Sequence, residues 1–190
     1  MTTNTRYSNT AYLALCGLFA AITAICSYIN IPLGFTPIPM NLATLAIFLA
    51  GGLLGKKYGP LSILVYVLMG AAGVPVFAGF QAGVGVLAGP TGGFLIGYIM
   101  AAFVVGLILD KRLGPSKEGS FSKGQFALCI VAMMAGLLCC YAFGTLWFAY
   151  ITNTGIVAAL VSCVIPFLLL DAIKILVSAM LIIRLRPILK

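Results

Sequence analysis

Ten of the eleven basic residues in this chain fall in alternate connections between long apolar stretches. Arg6 precedes the first stretch, and Lys56 and Lys57 follow the second. Lys111, Arg112, Lys117 and Lys123 follow the fourth, and Arg184, Arg186 and Lys190 follow the sixth. The connections between them, 32–39, 75–93 and 152–154, hold no charge. In a chain that crosses a bilayer, Lys and Arg collect on the cytoplasmic side. An even number of crossings returns both ends to that side, and a miscount would scatter the charges. The pattern predicts an all-α integral membrane protein with six transmembrane helices, both termini cytoplasmic, folded as a single membrane domain over residues 1–190.

Composition agrees. Hydrophobic residues make up 63% of the chain and charged residues 7%, against about 25% charged in a soluble domain. The lipid bilayer is therefore the solvent. The net charge of +8 reads as a topology signal, with no motif for binding nucleic acid. Six cysteines lie inside apolar stretches, none in a C-x-x-C pair, and histidine is absent. That leaves no ligand set for a metal, and no cofactor is expected. The first apolar stretch is too long for the core of a secretory signal, and no clear cleavage site follows it.

The expected spans are about 11–31, 40–54, 61–74, 94–109, 125–151 and 155–183. In the first, Gly17/Ala21 and Ala20/Ala24 are small-xxx-small pairs that let another helix approach closely. Either a partner protein or the chain's own helices could use them. The external loop 32–39 holds three prolines, which exclude a regular helix. Asn41 then opens the second span, which is short for a crossing and calls for shielding by protein. The second external loop, 75–93, is apolar yet full of Gly and Pro. Irregular backbone at membrane depth needs protein or water to satisfy it, so this loop is expected to enter or cap a cavity, with Gln81 its longest polar side chain. Trp147 and Tyr150 fit an interfacial belt.

The last span contains Asp171 and Lys174 and no other charge between Gly155 and Ile183. At i and i+3 they share a helix face. A lone charge at the bilayer centre costs roughly 2.5–3.5 kcal/mol on insertion scales, and pairing offsets part of that. An intramembrane ionisable residue is a functional candidate by default; the alternative is an ion pair that fixes helix packing. One carboxylate, one ammonium and two irregular external loops suit a small polar solute. Pro166 is expected to kink the span just before Asp171.

Several local patterns together resemble the BioY family of biotin-binding S components of energy-coupling-factor (ECF) transporters. They are Pro37-Ile38-Pro39 leading into 49–55, Gly70 to Gly79, Gly89-Pro90-Thr91-Gly92-Gly93, Gly144-Thr145-Leu146-Trp147, and Pro166-Phe167 before Asp171-x-x-Lys174. The resemblance covers nearly the whole chain. It implies high-affinity capture of biotin at the bacterial cytoplasmic membrane, with no enzyme activity. It also implies partners: an ECF transmembrane coupling subunit and two ATPase subunits. It places Asp171 and Lys174 in the vitamin site, with Asn41, Phe77, Gly79, Phe80 and Gln81 as loop contacts. It assigns the small residues of the first helix, Gly17, Ala20, Ala21 and Ala24, to the coupling subunit. The chain departs from the family after Pro39, where Asn41 and Ala43 stand in place of Thr and Gln. Two other functions fit the bare residues: a stand-alone carrier for biotin or another carboxylated solute, with Asp171 titrating, and an intramembrane enzyme using Asp171 as a base. Lack of His, metal ligands and a nucleophile dyad argues against the enzyme.

Overall fold

The computed structural model describes residues 9–31, 34, 38–113 and 123–189. Arg6, Lys117, Lys190 and most of the proline-rich loop, including Pro32 and Pro37, lie outside the described residues. The rest is helical apart from one two-residue β-pairing and the turns. Helix α1 spans Asn9–Tyr28, α2 Ala43–Ala71, α3 Val84–Ala88, α4 Gly92–Arg112, α5 Lys123–Thr152, α6 Ile156–Cys163 and α7 Leu168–Leu189. Among the described residues, four helical stretches are long and apolar enough to cross a membrane: α1, α4, α5 and the run Ile156–Pro187.

Helix α2 combines the second and third expected spans. Its single non-helical residue is Gly55, at φ 78° and ψ −172°, a conformation that only glycine adopts without strain. The chain reverses there. A Cβ on Gly59 would lie 2.8 Å from the Gly51 Cα, although eight residues of straight helix separate Cα atoms by about 12 Å. The turn expected over 55–60 thus shrinks to one residue. The second arm restarts at once because the Asp110 carboxylate accepts the Lys56 N–H at 2.9 Å, as an N-cap side chain would. The first arm, 43–54, is buried along nearly its whole length. A helix apolar all round belongs in a core, and neighbouring helices supply the shielding that its short length demands.

Helix α4 sits between α2 and α5, and glycines set how closely they pack. A Cβ on Gly51 would meet Ala102 O at 2.6 Å, and one on Gly106 would meet the Gly55–Lys56 peptide at 2.5 Å. Towards α5, Gly97 touches the Cys140 backbone and Gly144 carries the Phe94 ring. In lipid, where apolar surface gains little from leaving its solvent, close approach through small residues holds helices together.

Three expectations change. The first helix ends at Tyr28, not residue 31. Ile31 precedes a proline, which favours extended backbone; it pairs with Met40, and Asn30 with Asn41, as strands β1 (Asn30–Ile31) and β2 (Met40–Asn41). The loop over 75–93 is partly ordered, with a 3-10 turn at Ala78–Phe80 and α3. The last span is broken rather than kinked: α6 stops, Ile165–Phe167 forms a 3-10 turn, and α7 begins afresh. Pro166, which has no N–H to donate, sits in that break.

Candidate functional site

The break before α7 positions the charged pair. It puts Asp171 in the first turn of α7 instead of mid-helix, where the unpaired N–H groups and the helix dipole favour a negative charge. Lys174 lies one turn on, and its Nζ is 2.9 Å from Asp171 Oδ1. Both residues are buried, at 2% and 4% exposure.

Two side chains that sequence reasoning missed complete the cluster. The Tyr141 hydroxyl on α5 donates to Asp171 Oδ2 at 2.5 Å. Thr44 on the first arm of α2 donates to Asp171 Oδ1 at 3.1 Å and accepts from Lys174 at 3.0 Å. Lys174 also donates to the Asn41 carbonyl at 2.5 Å. An ammonium has three donors, and here all three are used. The cluster joins α2, α5 and α7. A signal for Tyr141 did exist, since a tyrosine hydroxyl in an apolar helix needs a partner. Thr44 gave none, because a threonine in a membrane helix commonly bonds its own backbone.

One cavity adjoins the cluster and a second lies beyond it. The smaller, about 30 Å³, is lined by Asp171, Lys174, Thr44, Tyr141, Cys140 and Cys163, among others. The larger, about 230 Å³, lies under the loops and is lined by Phe77, Gly79, Gln81 and Tyr66, with Asn30 from β1. Ile38, Pro39, Asn41, Phe94 and Tyr98 line both and so form the partition. Asn41 is thus shared between the two chambers. Its side chain accepts the Ala43 N–H at 3.0 Å and holds the start of α2.

Of the loop residues, Asn41, Phe77, Gly79 and Gln81 meet at the cavities. Phe77 is buried, with its ring edge-on to Tyr66 at 5.6 Å and seated on Gly70. Phe80 does not line either cavity. Gly79 and Phe80 both have positive φ, 68° and 59°, and this left-handed turn sends Phe80 outward. Its ring is 66% exposed and stacks on Tyr28 at 4.4 Å. The Tyr28 hydroxyl in turn donates to the Pro75 carbonyl at 2.6 Å.

The four small residues of α1 divide between two faces. Ala20 and Ala24 are buried in a cluster with Tyr66, Val67 and Leu95, whereas Gly17 and Ala21 are exposed. The four fall within about 100° of the helix circumference, and the border between buried and exposed surface runs through that arc. Trp147 also has an inward bond: its indole N–H donates to the Gly89 carbonyl at 2.9 Å, and its Cβ covers Gly93. The Gly89–Gly93 and Gly144–Trp147 patterns therefore meet in space.

The BioY family matches residues 1–190. The biotin transporter BioY of Thermotoga maritima is 40% identical over 170 residues, covering 90% of this chain and 92% of that protein. The biotin transporter BioY of Rhizobium etli is 35% identical over 174 residues, covering 91% of each. Among solved structures, the S-component for biotin from an ECF-type ABC transporter superposes with a TM-score of 0.84 at 29% identity, covering 98% of this chain and 94% of that one. With the family matched from end to end and relatives aligned over nine-tenths of their length, the chain belongs to the BioY family.

Proposed function

We propose that this chain captures biotin outside the cytoplasmic membrane and passes it inward as the substrate-specific subunit of an ECF-type ABC transporter. The observation that carries the reading is the Asp171–Lys174 cluster, buried beneath a loop-covered cavity in a member of the BioY family. A carboxylate offers about four lone-pair positions. Thr44 and Lys174 take two on Oδ1, and Tyr141 takes one on Oδ2. The position left on Oδ2 suits one N–H of a ureido ring. Lys174 has no spare donor, so it meets a ligand oxygen by exchanging a bond. Its bond to Asn41 is the natural one to give up, because Asn41 lines both cavities. Phe77, Gly79 and Gln81 then contact the rest of the ligand in the larger cavity, with Phe77 against its apolar ring.

The charge sorting supports cytoplasmic termini, with the loops and cavities facing outside. The sequence carries no nucleotide-binding motif, so energy comes from partners: a membrane coupling subunit and two ATPases. Gly17 and Ala21, on the exposed side of α1, are the small residues a partner helix can reach.

The test is biotin binding to the purified protein together with uptake by cells that contain or lack a coupling subunit. Binding with uptake only beside the coupling subunit supports the reading. Uptake without it would favour a stand-alone carrier, and a folded protein that binds no biotin would remove the vitamin from the reading.

A further inference from the structure

At the opposite end of α7 and of the first arm of α2 lies a second polar cluster that the biotin site does not use. Arg186 is buried, at 8% exposure. Its Nη2 donates to Asp110 Oδ1 at 2.9 Å and to the Leu109 carbonyl at 3.1 Å. The other oxygen of Asp110 accepts the Lys56 N–H, the first after the reversal at Gly55. One carboxylate at the end of α4 thus fastens α7 to the turn of α2.

The two clusters lie at the two ends of one helix pair. The first arm of α2 and α7 run parallel. Thr44 faces Asp171 and Lys174 at one end, and a Cβ on Gly52 would run into the Ile182 side chain further along. Fifteen residues of α7, about 22 Å, separate Asp171 from Arg186. Between the clusters Gly52 lets the helices approach at Ile182, and the one polar side chain buried on that stretch of α7, Ser178, makes no side-chain hydrogen bond among the described residues. Sliding or tilting of α7 along α2 is therefore opposed by polar bonds only at the ends.

We propose that Asp110 and Arg186 form a latch that holds α7 in register with α2, and that this latch releases when the solute leaves toward the basic side. The two residues are positioning residues: they line neither cavity and act on Asp171 and Lys174 through α7. The proposal rests on the reading of those two residues as the solute site. A permanent fastening would use the whole guanidinium fork, as bidentate pairs do. Here, among the described residues, Nη1 is buried with no acceptor, so the hold is incomplete and suits a contact that opens and recloses.

A native reporter lies beside the latch. Cys129 on α5 is fully buried and within electrostatic range of Arg186. Cys163, equally buried, lines the small cavity at the other end. The experiment follows alkylation of both thiols by N-ethylmaleimide, using peptide mass spectrometry on the full-length protein. It compares wild type, Asp110→Asn, Arg186→Gln and Arg186→Lys. Asp110→Asn keeps one acceptor oxygen for the Lys56 N–H and sets an NH2 group where Arg186 needs an acceptor. The expected result is Cys129 alkylation at least about tenfold faster in Asp110→Asn and Arg186→Gln, near wild type in Arg186→Lys, with Cys163 unchanged throughout. Biotin should leave the two loosened variants faster by a similar factor. Cys129 protected equally in all four proteins would overturn the latch, as would Arg186→Lys behaving like Arg186→Gln. A parallel rise at Cys163 would also overturn it, because the pair would then hold the whole fold and not one end. If wild type binds no biotin, the function assigned to the site fails, while the Cys129 comparison still decides the latch.

Discussion

The two ends of the α2–α7 pair, outer and inner in the proposed orientation, hold the same kinds of group in opposite condition. At the outer end every donor of Lys174 has an acceptor, three helices contribute, and a cavity adjoins the cluster. At the inner end one arm of Arg186 has no partner among the described residues, and neither Arg186 nor Asp110 lines either of the two cavities. Buried ion pairs are weak evidence for stability, since desolvation offsets most of the attraction. What separates the two ends is access. A satisfied pair under a cavity can trade its bonds with a solute, whereas an unsatisfied pair away from one can act only on the helices it joins.

The largest expected effect comes from breaking the outer pair on one side. Asp171→Asn leaves Lys174 buried without its counter-charge, a change that costs about 3–5 kcal/mol when a buried pair loses one partner. Biotin binding measured by equilibrium dialysis should be abolished and the melting temperature lowered. Replacing both residues together, Asp171→Leu with Lys174→Met, should restore much of the thermal stability while binding stays absent. Recovery of binding in that double variant would reduce the pair to a packing device.

The turn that positions the inner cluster comes next. Gly55→Ala forces a side chain to adopt φ 78°, a strain of about 1–3 kcal/mol. The variant should melt earlier, and Lys56 should move away from Asp110. An unchanged melting curve would show that the reversal does not depend on that backbone conformation.

A smaller change sharpens the outer cluster. Tyr141→Phe removes one hydroxyl from Asp171 and little else, a loss of about 1–2 kcal/mol. Biotin affinity should fall roughly tenfold, with the melting temperature lowered by only a few degrees. A variant as tight as wild type would mean that Oδ2 needs no second donor.

The smallest effect belongs to the outer surface. The Tyr28–Phe80 stack is worth about 0.5–1.5 kcal/mol, and Phe80→Ala should speed biotin dissociation by a few-fold through a looser loop. Loss of binding as severe as that of Asp171→Asn would instead place Phe80 against the ligand.

Much of this architecture could be read from the residues because lipid makes few arrangements affordable. Alternate placement of the charges gave the six apolar helices, and an i, i+3 carboxylate and ammonium gave the ion pair. What could not be read depends on single backbone angles and on long-range partners. Glycine is frequent in the chain, so nothing marked Gly55 as the reversal point. Phe80 looked like Phe77 in sequence, and only the positive φ at Gly79 and Phe80 separates an outward ring from a buried one. Thr44 and Tyr141 reach Asp171 from 127 and 30 residues away, separations at which no local pattern operates. The row on α1 was visible as small residues, but which pair faces inward depended on how α1 packs on α2.

The measurement that bears most directly on the central claim is biotin binding by the purified protein in detergent, with wild type beside Asp171→Asn and Lys174→Ala. Tight binding by wild type that both substitutions abolish is the expected result. Binding by wild type that survives either substitution would contradict a vitamin site built on the Asp171–Lys174 pair.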